Sequence, residues 1–216
     1  MATTLQAVIG LSDKLTSDLT TRRGAWRQYL NTAARVYKYS FADQLLIYGQ
    51  RPDATACAEL PLWNEKMGRW VNRGAHGIAL IDTSRRRPRL RYVFDVSDTH
   101  LSRDGSGRTL RLWTIRPDQH EAVSAELERM YPNAGITGMD FTEKIIKICE
   151  LAVKNELAYY LEELGRVKAG SLLEELDSQN LAMWLRLPLE ASVGYTVLTR
   201  CGIDAGLYYD DVDFEK

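Results

Sequence analysis

Arg69, Trp70, Arg73 and His76 fall together in one stretch of the chain, Trp63–Ile81 (WNEKMGRWVNRGAHGIALI). Cationic groups interleaved with an aromatic ring are suited to holding a phosphate backbone. A guanidinium fork grips two phosphate oxygens at once, and an indole face stacks a base. Lys38, Tyr39, Arg51 and Arg91 extend the same chemistry to either side, and Arg85, Arg86 and Arg87 add an arginine cluster. Taken alone, these residues could hold any polyanion. Trp63 reads as a core residue, because a large indole with apolar neighbours is more often buried than used for stacking.

Other chemistries lack their residues. His76, His100 and His120 stand far apart, and Cys57, Cys149 and Cys201 match no metal-ligand spacing. The odd number of cysteines reads as reduced, mostly buried thiols of an intracellular protein. There is no Gly-Lys-Ser/Thr phosphate loop, no dinucleotide-binding fingerprint and no nucleophile elbow. The paired acids Glu162-Glu163 and Glu174-Glu175 read as solvated helix faces. No catalytic residue, cofactor or metal is expected; the pattern favours binding over catalysis.

Net charge of -1 over 216 residues hides an asymmetry. Met1–Arg116 carries 19 Lys+Arg against 10 Asp+Glu, whereas Pro117–Lys216 carries 9 against 19. A basic half implies an anionic partner, although two oppositely charged halves could also simply attract each other. The N-terminus has no signal-peptide pattern and no apolar run approaches a membrane span, so a cytoplasmic protein without a membrane partner is expected.

Hydrophobic periodicity sets out the elements that must position these groups. Leu5, Val8, Ile9, Leu11, Leu15 and Leu19 recur at helical spacing, and a second amphipathic segment runs from Ala25 to about Tyr37. Ser40 reads as the N-cap of a helix over Phe41–Tyr48 that stops at Gly49. A β-rich middle follows: a weak strand at Thr55–Ala58, a short helix at Trp63–Met67, and strands at Arg69–Val71, Ile78–Asp82 and Leu90–Val96, with a further one over Thr109–Ile115. The strands Arg69–Val71 and Ile78–Asp82 are expected to form a hairpin around Asn72–Gly77. Thr83–Arg89 and Asp98–Gly107 read as loops. Helices are expected at Asp118–Met130, Asp140–Leu164, Ser171–Leu185 and Leu189–Cys201, and the acidic end Tyr208–Lys216 shows no packing signal. The fold class is therefore α+β. Residues 1–116 form an N-terminal domain of helices flanking a small antiparallel sheet, and residues 117–216 form an α-helical region, whether packed on the first or continuing from it.

Several blocks in fixed order then point to a family. Tyr39–Tyr48 (YSFADQLLIY), Gln50–Thr55 (QRPDAT), Trp63, Gly68–Ile78 (GRWVNRGAHGI) and Tyr92–Val96 (YVFDV) resemble the N-terminal domain of ArdC-type antirestriction proteins, in the version found in large proteins of conjugative elements. The resemblance covers roughly Gly24 to Thr99 and leaves the helical second half unexplained. Asp43 stands where the family often has Asn, and Asn72–Gly77 replaces a lysine-rich turn. The resemblance implies a single-stranded-DNA-binding domain, followed in such proteins by a zinc metalloprotease or a helicase/methylase region.

The resulting expectation is sequence-tolerant binding of single-stranded DNA, in support of mobile-element transfer or antirestriction. Arg51, Arg69, Arg73 and Arg91 would contact phosphates, Trp70 and Tyr39 would stack, and Arg85–Arg87 would act as an electrostatic arm, with Lys38 and His76 nearby. Downstream domains of a longer parent protein are a further expected partner. A different class of reading is an acidic protein-interaction module, a DNA mimic or docking domain, if Glu156, Glu162, Glu163, Glu174, Glu175 and Asp177 form one stripe. A third is the substrate-recognition part of an enzyme whose active site lies downstream.

Overall fold

The protein is described by a computed structural model covering residues 4–102 and 107–210. The chain divides into two compact units, the first running to Trp113 and the second starting at Thr114; the sequence alone placed this change after Arg116. The architecture is α+β, with helices before and after a small antiparallel sheet. Among the described residues no helix is long and apolar enough to cross a membrane.

In the first unit, α1 (Leu5–Thr21), α2 (Ala25–Arg35) and α3 (Phe41–Gln50) lead into β1 (Cys57–Ala58), a single π-helical turn at Leu62–Lys66, and β2 (Arg69–Val71). β3 (Ile78–Asp82), β4 (Arg89–Asp95) and β5 (Thr99–Leu101) complete it. Ser40 caps α3 by accepting from the Asp43 N–H at 3.3 Å, which satisfies one of the helix's unpaired first-turn donors. The helix does not stop at Gly49 but runs on to Gln50, with Gly49 packed so closely on Leu15 that a side chain would collide with it. Val8, Val36, Leu46, Ile47, Ile78, Leu80 and Val93 form the core between these helices and the sheet. Trp63 is 2% exposed and its Nε1–H donates to the Phe94 carbonyl at 2.9 Å. It is a core residue with its polar atom satisfied.

Strand pairing departs from the sequence reading. β2 and β3 do not form a hairpin. The main sheet has the order β1-β4-β3, and β2 pairs instead with β5 in a separate two-stranded ribbon. The reason lies in Gln50. Its Nε2 donates to the Ala79 carbonyl and its Oε1 accepts from the Ala79 N–H, both at 2.9 Å. The side-chain amide thus occupies part of the free edge of β3. The backbone of β2 finds its partners in Thr99–Leu101, part of the segment read as a loop; residues 103–106 of that segment lie outside the described residues. No strand forms over Thr109–Ile115.

The second unit opens with a 3-10 turn at Pro117–Gln119 and continues as α4 (His120–Met130), α5 (Phe141–Val167), α6 (Ser178–Arg200) and the short α7 (Gly206–Tyr209). Asp140 and Glu143 form a reciprocal capping box at the start of α5, with bonds of 2.9 and 3.0 Å. His120 stacks on Phe141 at 4.0 Å, fixing α4 against α5. The two helices expected at Ser171–Leu185 and Leu189–Cys201 are one. Residues from Ser171 to Leu176 form successive turns, Asp177 caps at Gln179 and Asn180, and the helix passes through Pro188. Proline removes a backbone donor, but Leu181 on one side of it and Ala191, Tyr195 and Leu198 on the other are buried. Packing of α6 along α5 therefore outweighs the local break. Tyr209 packs over Gly194 and leaves no room there for a Cβ. The acidic end thus does have a packing contact at its start; residues 211–216 lie outside the described ones.

Candidate nucleic-acid interface

The β2–β5 ribbon places Arg69 opposite Leu101, Trp70 opposite His100 and Val71 opposite Thr99. Directly opposite residues of an antiparallel pair share a face. Trp70 and His100 therefore stand side by side on the outer face, where Trp70 is 50% exposed. Asn72 extends this face: its Oδ1 lies 2.7 Å from His100 Nδ1, and its backbone N–H donates to the Asp98 carbonyl at 2.8 Å. Beyond it the chain turns through Gly74, at φ +87°, a left-handed conformation that favours glycine. It then crosses β4 at Gly77, where a Cβ would meet Tyr92 and Phe94 at 3.1 Å. Arg73 and His76 are exposed on this connection.

Two arginines hold the ribbon from beneath. Arg69 donates from Nε to Thr99 Oγ1 at 2.7 Å and from Nη2 to the Thr99 carbonyl at 3.1 Å. Arg51 bonds Asp98 Oδ2 and Ser97 Oγ, each at 2.8 Å, with Asp53 at 3.4 Å from its Nε. The structure thus brings Arg51, Arg69, Trp70 and Arg73 around the Ser97–Leu101 segment. Arg51 and Arg69, however, are committed to protein acceptors, so their part is to fix the ribbon's shape.

The remaining residues singled out in the sequence lie elsewhere. Arg91 pairs with Asp43 on α3 at 2.6 Å and with Glu59 at 3.4 Å. Tyr39 donates its hydroxyl to the Cys57 carbonyl at 2.7 Å, and burial pushes its pKa up. It is a half-buried anchor, not an open stacking face. Lys38 is exposed, with its ammonium 5.7 Å from the Tyr37 ring centroid. Arg85, Arg86 and Arg87 are exposed on the β3–β4 loop. That loop is closed by Asp82, whose pKa is pulled down by hydrogen bonds from the Ser84 hydroxyl and from Arg89. It lies at the far end of β4 from the ribbon, about 20 Å away at roughly 3.3 Å per residue.

Asn72, Asp98 and His100 were not among the residues expected to act. The alternation Thr99-His100-Leu101 was the available signal, but three residues between polar neighbours are too few to separate a strand from a loop. In the second unit, the acidic groups are largely used locally. Glu162 and Glu163 both pair with Arg166, Glu174 accepts from the Gly170 N–H, and Asp177 caps α6. Among the described residues no group of three or more His, Cys, Asp or Glu could hold a metal ion. The chain matches no protein-family model, no curated protein and no solved structure.

Proposed function

We propose that the first unit binds single-stranded DNA with little sequence preference, as a cytoplasmic non-enzymatic module serving transfer of a mobile element or its protection from restriction. The observation that carries this reading is the outer face of the β2–β5 ribbon. It offers a half-exposed indole on a two-stranded platform, with His100 beside it and, at its end, the exposed Arg73, which forms no ion pair among the described residues. Stacking on such a ring is tolerant of sequence because every base has a π-face. The excess of Lys and Arg over Met1–Arg116 supplies the long-range attraction. Arg85–Arg87 then act as a second contact farther along the strand. The family-like blocks around Tyr39–Tyr48 and Gly68–Ile78 support the same reading. They resemble the single-stranded-DNA-binding domain of ArdC-type proteins, and the proposed role in conjugative elements rests on that resemblance.

A salt titration of oligonucleotide binding tests it. Single strands should bind better than duplex, and the slope of log affinity against log salt should correspond to about 3–5 phosphates. No binding at low salt, or equal binding to duplex, would overturn the proposal.

A further inference from the structure

The second unit carries an open groove of about 490 Å³ between the end of α4 and the middle of α5. Met130 and Tyr131 line it from the end of α4, and Ile148, Leu151, Ala152 and Glu156 line it from α5. On α5 these residues follow helical spacing, so they make one continuous stripe. Met130 is 57% exposed and Tyr131 40%, so the apolar lining is open to solvent. The volume lies within the roughly 300–1,000 Å³ typical of small-molecule pockets, room enough for apolar side chains.

Charge identifies the occupant. On these two helices Glu126 pairs with Arg129, Glu128 with Lys144 and Glu150 with Lys147; Lys154, which forms no ion pair among the described residues, does not line the groove and lies two residues from Glu156, about 200° round the helix. Glu156 forms no ion pair among the described residues and is exposed at the groove. The region beyond Arg116 carries 9 Lys+Arg against 19 Asp+Glu. An anionic membrane surface or nucleic acid would be repelled by this field, whereas a cationic chain would be drawn to it. We infer that this groove is a docking site for a basic amphipathic helix of a partner protein. Its apolar residues would enter between α4 and α5, and a Lys or Arg would reach Glu156. This is the helix-in-groove mode of recognition, in which apolar anchors supply affinity and the flanking charge sets orientation.

The test uses a fluorescein-labelled amphipathic helix built from Leu and Lys and measures its anisotropy on titration with the full chain. Two comparison peptides are needed: the same helix with Glu in place of Lys, and one of the same composition with its leucines spread round all faces. The inference expects saturable binding of the first peptide alone. Ala152→Trp, at an exposed position that would fill the groove without changing charge, should weaken binding at least tenfold. Glu156→Gln should weaken it about fivefold, as for one exposed ion pair. Circular dichroism of both variants should match the parent chain. Undiminished binding to Ala152→Trp, or equal binding of either comparison peptide, would overturn the inference. So would a dimer of the chain that Ala152→Trp disperses, because the occupant would then be a second copy.

Discussion

Arg91 on β4 donates to Asp43 on α3 at 2.6 Å, across a sequence separation of 48 residues. Both side chains are mostly screened from water, at 28% and 15% exposure. The pair bolts the sheet to the helix in front of it. A cation held this way is poorly available to a phosphate, because DNA would have to displace a carboxylate that is already in place. Arg91→Ala should therefore act on stability more than on binding. Losing a charge-assisted hydrogen bond in a half-buried setting should cost about 1–2 kcal/mol. Urea unfolding should show a lowered midpoint, while oligonucleotide affinity of the folded variant should stay within about twofold. A large loss of affinity with unchanged stability would mean that the arginine leaves Asp43 to meet DNA.

The same pair marks where the sequence could be read and where it could not. Ser40 announced its helix because capping is a local interaction, settled within three residues. Helical stripes such as Val8, Leu15 and Leu19 were legible for the same reason. Strand partners were not. Whether β2 pairs with β3 depends on Gln50, far from both in the chain, whose amide occupies the edge that β2 would need. The cations were legible as cations, but their duties were not. Arg51 and Arg91 look alike in sequence to Arg73, and only the fold brings Asp98 and Asp43 to the first two.

Asp95 gives a pH dependence. Burial pushes its carboxyl pKa up, but hydrogen bonds from the Ser97 hydroxyl and N–H and from the Thr55 and Ala56 N–H groups pull harder, so the net shift is downward. Those bonds span 2.6 to 3.0 Å and gather the strand ends on one carboxylate. A folded pKa below the unfolded value means the stabilisation is present above about pH 4 and is lost as pH falls through the folded pKa. Unfolding midpoints measured between pH 7 and pH 2 should drop across that acid window. Asp95→Asn should flatten this acid limb and cost about 1–3 kcal/mol at pH 7, since an amide nitrogen would face N–H donors. An unchanged acid limb in the variant would assign the effect to other carboxylates.

The cysteines should be slow to react in the native protein. Burial pushes the Cys57 thiol up to about 12, with Asp95 adding to the effect, and it pushes Cys149 up to about 11 and Cys201 upward as well. The thiolate is the nucleophile, so a rise of two units cuts the reactive fraction about a hundredfold. Iodoacetamide at pH 8 should label none of the three appreciably in the time that labels all three in urea, as read by mass spectrometry. Rapid labelling of one native thiol would show that its surroundings open readily.

Trp70 and Arg69 are neighbours in sequence with opposite predicted effects. Trp70 is half exposed on the outer face, whereas Arg69 is spent on Thr99 beneath it. Trp70→Ala should lower oligonucleotide affinity by about 1–3 kcal/mol, the usual range for one stacked base, and leave the unfolding midpoint nearly unchanged. Trp70→Phe should recover part of the loss, because a smaller ring still stacks. Arg73→Ala should weaken binding evenly across sequences and reduce the salt slope by about 0.7, one phosphate on a single strand. Arg69→Ala should lower the unfolding midpoint first, with affinity falling only as the ribbon loosens. If Trp70→Ala binds as tightly as the parent chain while Arg85→Ala does not, the contact lies on the β3–β4 loop and the ribbon is not the binding face.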